Sequence, residues 1–287
     1  MKRAFIGISR HRLLRDGKGV TTLAAFHGCP LDCKYCLNPI SKGKLEECDT
    51  LVWHTPQSLI EAMMMDNIYF LATGGGVCFG GGEPLLQTDF IQEFRERCSK
   101  ECEITIETSL NVPISNVQSV ADVIEQWIID VKDLNPKIYK AYTGKNNDRV
   151  VENLRWLADN GYADKVIVRE PQIPGYNTLK DVEASEQELR KWGCHRFEHL
   201  QYVLPNQLAA YHQRLKSNTK RPYGKDTCVV LKAIRQLIAD KNDIQFHPHV
   251  CTYKGACLGT CPACEKEVRF IEKTLEVKRK NGEEIII

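Results

Sequence analysis

The sequence predicts a parallel α/β architecture, either a barrel or an open doubly wound sheet, on three observations. Short apolar runs alternate with helix-like segments about six times between the N-terminus and residue 245. The runs are mostly continuous apolar rather than alternating, as in strands covered on both faces. The segments between them carry helix start and stop signals.

The expected strands are VTTLAAF, GVCFGG, CEITIETS, QWIIDVKD, KVIVREPQ, LQYVLP and DIQFHP. Thr55-Pro56 announces a helix over QSLIEAMMM, because a threonine oxygen can cap the first free amides and proline suits the first helical position. Thr88 before DFIQEFRERC, Asp148 before RVVENLRWLADNG and Thr178 before LKDVEASEQELRKWG announce three more, the last two stopped by glycine. Met63, Met64 and Met65 are expected in a helix core.

A chain of 287 residues, 43% hydrophobic, can bury a sizeable core. Its 39 basic and 37 acidic residues are interspersed, so no surface charge demands a nucleic acid or a membrane as partner. No run reaches the roughly 20 apolar residues of a membrane span, and the basic start lacks the apolar stretch of a secretory signal, which places the chain in the cytoplasm. Thiols stay reduced there, so the grouping among thirteen cysteines points to metal rather than disulfides.

The first group is HGCPLDCKYCLNP, with Cys29, Cys33 and Cys36 in one tight loop. Three thiolates can hold a [4Fe-4S] cube and leave one iron without a protein ligand. A zinc knuckle completed by His27 is the alternative that spacing leaves open. Tyr35 stands where a ring could stack on a heterocycle. Downstream, Gly80-Gly81-Gly82-Glu83-Pro84 ends an apolar strand, and glycines there permit close backbone approach to a ligand, while the carboxylate can accept bonds from an ammonium group. Glu107 and Asp130 also end apolar runs, as active-site carboxylates on a barrel rim do. Asp130 and Lys132 share strand period and hence a face, whereas Lys132 and Arg169 read equally as rim cations.

The cysteine loop followed by GGEP resembles the radical S-adenosylmethionine (SAM) superfamily over roughly residues 1–245. The resemblance implies a partial (β/α)6 TIM-like barrel whose open iron chelates SAM and whose electron splits it to methionine and a 5′-deoxyadenosyl radical. Within that superfamily, RDGKGVTTLAAFHGCPLDCKYCLNP, TGGGVCFGGGEPLLQTDFI, IETS, IIDVKDLNP and VIVREPQIPGYN are most similar to activating enzymes of glycyl radical enzymes. By that resemblance Cys29, Cys33 and Cys36 hold the cluster, and Gly81, Gly82 and Glu83 face the methionine amino group. Glu107, Thr108, Asp130 and Lys132 surround the cosubstrate, and Arg169 lies near its carboxylate. Lys18 and Leu37 differ from the activase pattern, and His212 is displaced from the activase histidine, which leaves the hydrogen donor open.

Residues 246–287 change character. Cys257, Cys261 and Cys264 repeat the first spacing, and Cys251 completes a set of four, so this site is expected to be closed. A second [4Fe-4S] cluster is the first expectation and zinc the second, with His247 or His249 able to replace a thiol. The tail is thus an appendage that metal helps to fold. Cys48, Cys78, Cys98, Cys102, Cys194 and Cys228 are read as small core residues.

The expected activity is hydrogen abstraction from a glycyl residue of a partner glycyl radical enzyme, with SAM as cosubstrate and flavodoxin or ferredoxin as reductant. The same radical chemistry on another peptide or on a small metabolite, with the second cluster assisting, is the first alternative. A non-catalytic electron-transfer or binding protein with iron-sulfur or zinc sites is the second.

Overall fold

A computed structural model describes residues 1–202, 224–253, 257 and 259–287. An eight-stranded sheet runs β1 (Arg3–Leu13), β2 (Val20–Phe26), β3 (Val52–His54), β4 (Gly76–Gly81), β5 (Glu103–Thr108), β6 (Gln126–Asp130), β7 (Val166–Gln172) and β8 (Arg196–Gln201). The helices are α1 (Pro56–Met63), α2 (Asn67–Thr73), α3 (Thr88–Arg97), α4 (Ile114–Val120), α5 (Pro136–Thr143), α6 (Asp148–Asp159), α7 (Leu179–Lys191), α8 (Lys225–Lys241) and α9 (Pro262–Lys280). Strand order is β3-β1-β2-β4-β5-β6-β7-β8, parallel from β2 to β8, so six parallel strands form an open partial barrel. Strands β1 and β3 add antiparallel at one edge.

The continuous apolar runs are the central strands. All of β4 but its last residue is buried, and Trp127, Ile128 and Ile129 of β6 are at most 1% exposed. Phe5, Phe26, Phe79, Phe90 and Phe94 join β1, β2 and β4 to α3, with ring centroids 4.3 Å apart for Phe5–Phe26 and 5.1 Å for Phe79–Phe94. Such pairs each contribute about 0.5–1.5 kcal/mol beyond their buried area.

The helix signals hold at Thr55, whose side chain accepts from Ser58 N in a capping box, and at Thr178, which pairs with Asp181 in the same way. Gly161 and Gly193 follow the ends of α6 and α7. Thr88, in contrast, is the first residue inside α3.

Several sequence expectations need correction. DIQFHP is not a strand; it follows α8 and buries Ile244 and Phe246 in a cluster shared with α8 and α9. The last parallel strand is RFEHLQ, ahead of LQYVLP, of which residues 203–205 lie outside the described residues. Its polar residues reflect an edge position with one face half exposed. Strand β1 was hidden in the basic start, where Arg10 and Arg12 interrupt the apolar pattern to form ion pairs. Of the three methionines only Met63 is core; Met64 is exposed and Met65 lies under Arg269.

A second hydrophobic cluster joins Val20, Ile68 and Tyr69 to Leu231 and Ile238 of α8 and to Val268, Ile271 and Leu275 of α9. Fully buried Arg235 reinforces it, bonding Tyr69 Oη and, at 2.7 Å, Glu267. No helix among the described residues is long and apolar enough to cross a membrane.

Candidate active site

The carboxyl ends of all six parallel strands converge on one cavity of about 420 Å³. Strand β2 runs into the cysteine loop, and the loop is held by main-chain bonds: His27 N to Ala4 O at 3.0 Å and Gly28 N to Ser41 O at 3.0 Å. Further along, Asp32 N and Lys34 N donate to the Thr143 and Tyr142 carbonyls at 2.8 and 3.1 Å. Those carbonyls end α5, where the helix itself supplies no partner. The helix end therefore fixes the cysteine loop, and the loop in turn satisfies the helix end.

The glycine turn lies flush against the start of that loop. Gly82 N donates to Phe26 O at 2.9 Å, Glu83 N to Gly28 O at 2.7 Å, and Asn38 Nδ2 to Gly81 O at 3.1 Å. Gly81 has φ +88°, and a Cβ there would lie 2.6 Å from Ala25 Cβ; at Gly82 it would lie 2.2 Å from Gly28 O. Here the close approach that demands glycine is between the turn and β2 at Gly81, and between the turn and the start of the cysteine loop at Gly82.

Glu83 is 1% exposed and takes four donors: Thr108 Oγ1 at 2.6 Å, Leu85 N at 3.2 Å, Ser109 N at 3.0 Å and Ser109 Oγ at 2.6 Å. Burial raises its pKa, and the hydroxyls of Ser109 and Thr108 oppose that shift. The carboxylate thereby ties the glycine turn to the end of β5.

Glu107, Thr108, Asp130 and Lys132 also line the cavity. Lys132 Nζ bonds Asp130 Oδ2 at 2.8 Å, as their shared strand face predicts. Burial works against the Lys132 ammonium, but Asp130 and then Cys33 outweigh it and raise its pKa. Glu107 is pushed up to about 7 by burial and by Asp130, against the pull of Arg169. Arg169 donates to Glu107, to Glu198 at 2.7 Å and to the Arg15 carbonyl, so its guanidinium reaches the cavity through Glu107.

Cys29, Cys33 and Cys36 all line the cavity, and among the described residues no fourth cysteine and no histidine does. Burial pushes Cys29 up to about 12 and raises Cys33, so a bound cation must hold them as thiolates. This donor set fits a cluster with one position open to a ligand in the cavity.

The radical SAM superfamily profile matches residues 24–187. This chain belongs to the radical SAM superfamily. Curated relatives carry the same theme. A (2S)-3-sulfopropanediol dehydratase activating enzyme of Klebsiella oxytoca is 30% identical over 224 residues, spanning 57% of this chain and 69% of that protein. Pyruvate formate-lyase 2-activating enzyme of Escherichia coli is 30% identical over 197 residues, spanning 58% and 66%. In fold, the chain is similar to Streptococcus suis SuiB bound to precursor peptide SuiA, with TM-score 0.51 and 14% identity over 80% of this chain and 48% of that one. It is a radical SAM enzyme, and its cofactors are a [4Fe-4S] cluster and SAM.

Tyr35 takes a different place from the one its position in the loop suggested. Its ring packs among Tyr142, Tyr176 and Tyr202, at 6.0, 5.7 and 5.9 Å, and does not line the cavity. Tyr202 donates to the Tyr35 carbonyl, and Tyr142 Oη lies 3.0 Å from Tyr202 Oη. Ser109, Asn38, Tyr142 and Tyr202 were not anticipated. Only Ser109, directly after the IET strand, carried a signal; Tyr142 reaches the radical SAM cavity from a helix end, which no local pattern marks.

In the tail, Cys261 caps α9 and Cys264 lies in its first turn, with the sulfurs 3.6 Å apart. Lys225 Nζ lies 2.9 Å from Cys251 Sγ and lowers that thiol's pKa. Gly259 N donates to Cys257 Sγ at 3.4 Å. His249 bonds Glu267 through its ring instead of joining the thiols. Residues 254–256 and 258, and His212, lie outside the described residues.

Proposed function

We propose that this radical SAM enzyme abstracts a hydrogen from a glycyl residue of a partner glycyl radical enzyme. The observation that carries this reading is that its 30%-identical relatives are activating enzymes, one of them for a pyruvate formate-lyase. The cavity agrees with it: Leu37 and Leu200, 54% and 43% exposed, line it, an apolar surface suited to a protein loop.

In this reading Cys29, Cys33 and Cys36 hold the [4Fe-4S] cluster, which supplies when bound and reduced the electron that cleaves SAM to methionine and a 5′-deoxyadenosyl radical. A flavodoxin or ferredoxin is the one-electron donor, in keeping with a cytoplasmic enzyme. The Gly81–Gly82 backbone edge and Thr108 hold the methionine amino end, and Glu83 keeps that edge and Thr108 in place. Lys132 holds Asp130 in one rotamer beside the cosubstrate, and Arg169 does the same for Glu107. The cysteines of residues 246–287, Cys251, Cys257, Cys261 and Cys264, hold a second [4Fe-4S] cluster, or else zinc, as an appendage to a barrel of residues 1–245.

The test is isotopic. Reduced enzyme is incubated with SAM and with glycyl loops deuterated at the α-carbon, and 5′-deoxyadenosine is analysed by mass spectrometry. Deuterium in the nucleoside and a carbon-centred radical on the loop support the reading. Cleavage without transfer from any glycyl loop, together with transfer from another peptide or a metabolite, would replace it with the first alternative.

A further inference from the structure

Adjacent residues on β7 and β8 face opposite ways. Arg169 and Glu198 are register partners on the cavity side, so Glu170 and His199, the next register pair, point outward toward α7. There Glu186 of α7 joins them. A carboxylate oxygen from each glutamate and a ring nitrogen of His199 lie within 4.8 Å of one another.

Three observations separate this trio from an ordinary charged surface. Glu170 is 3% exposed, yet neither of its carboxylate oxygens has a hydrogen-bond partner. A buried carboxylate without a partner is costly, and most such groups are paired or bind a metal. Glu186 uses Oε1 to accept from Arg190 Nε at 2.8 Å, which leaves Oε2 facing His199 Nε2 at 3.3 Å. Finally, the His199 side chain is 58% exposed and that of Glu186 19%, so an ion has a way in and room to keep water ligands.

We propose that Glu170, Glu186 and His199 form a divalent metal site on the outer face of the barrel, separate from both cysteine groups. One imidazole with two carboxylates suits a first-row ion between Mn²⁺ and Zn²⁺. Bonds of about 2.0–2.2 Å require ligand atoms about 3–3.5 Å apart, so binding draws the trio slightly inward. The ion would join β8 and α7 to the more deeply buried β7. Strand β8 carries Glu198, which holds Arg169, and Leu200, which lines the cavity; Tyr202, another cavity residue, follows directly. The site therefore fixes the strand that closes one side of the active site.

Manganese is the probe, because it favours oxygen and imidazole ligands over the thiolates elsewhere in the chain. The full chain, loaded anaerobically with its clusters, is titrated with Mn²⁺ and free ion is read by EPR. The expected result is about one bound Mn²⁺ per chain, displaced by Zn²⁺, with affinity reduced at least about tenfold in Glu170→Gln and in His199→Ala. His199 is on the surface, so its variant keeps the test valid if the buried substitution disturbs folding. Mn²⁺ that stays free, or that binds both variants as tightly as the parent, would overturn the site and leave Glu170 as a buried protonated acid.

Discussion

Two loops in this chain share the spacing Cys-x3-Cys-x2-Cys, and their surroundings make them different sites. Cys29, Cys33 and Cys36 follow a buried parallel strand, are fixed by main-chain bonds to α5, and face a cavity with no fourth thiol among its lining residues. Cys257 and Cys261 precede α9 and Cys264 lies in its first turn; Cys251 stands in addition, beside Lys225 of α8. Identical spacing therefore does not by itself make identical sites, because the elements around each loop and the number of thiols within reach differ.

The sharpest way to break this comparison is to remove one thiol from each loop. Cys36→Ala should abolish SAM cleavage, measured as 5′-deoxyadenosine formed under reduction, and lower iron by about four per chain. Substituting Cys261 should leave the SAM-dependent signal of the first cluster intact. If both variants lose SAM binding equally, the division of roles is wrong.

Next in size is the joint between tail and barrel. Arg235 is completely buried and bonds both Glu267 of α9 and Tyr69 of α2. Arg235→Ala removes the partner of Tyr69 Oη and leaves Glu267 with His249 alone, and should cost about 3–5 kcal/mol, read as a lower denaturation midpoint. A change below about 1 kcal/mol would mean that this ion pair carries little of the joint and that the apolar cluster between α8 and α9 holds it.

Glu83→Ala should cost about 2–4 kcal/mol, since its carboxylate satisfies four donors at the turn beside the cysteine loop. It should weaken SAM binding as well, because the Gly81–Gly82 edge loses its anchor. Unchanged stability would show that water replaces the carboxylate.

The smallest effect concerns pH. Glu107 has its folded-state pKa pushed up to about 7, above the roughly 4.3 of an unfolded chain. The folded state then binds the additional proton, so the stabilising share of Glu107 falls as pH rises through that window. Glu107→Gln should flatten the pH dependence of the denaturation midpoint between about pH 5 and 7. A slope identical to that of the parent would assign the titration to another group.

The parts of the fold that were legible in the sequence are those where burial is two-sided. Strands β2, β4, β5, β6 and β7 stood out as mostly apolar runs because helices or the cavity side cover both faces, although β5, EITIET, alternates in sequence while staying largely buried. Strands β1 and β8 were missed for the opposite reason: Arg10 and Arg12 of β1 pair with Asp66 and Asp16 outside the strand, and β8 is an edge with exposed polar residues. At the site, the cysteines, GGEP, Glu107, Thr108, Asp130 and Lys132 were legible because a strand end places each of them. Tyr142 was not, since it arrives through the packing of α5 against the cysteine loop. Arg169 and Tyr35 do not line the cavity; their contacts are with protein, an ionic network for one and a tyrosine cluster for the other. Sequence position could not separate direct from mediated roles there.

The most direct test of the two-loop account is anaerobic iron and sulfide quantification with Mössbauer and EPR spectra, with and without SAM. It is made on the intact chain and on the Cys257→Ala/Cys261→Ala variant. The account predicts about eight irons in the intact chain and about four in the variant, with a SAM-dependent spectral change retained in both. Loss of that change in the variant would contradict it, because the open iron would then belong to the tail.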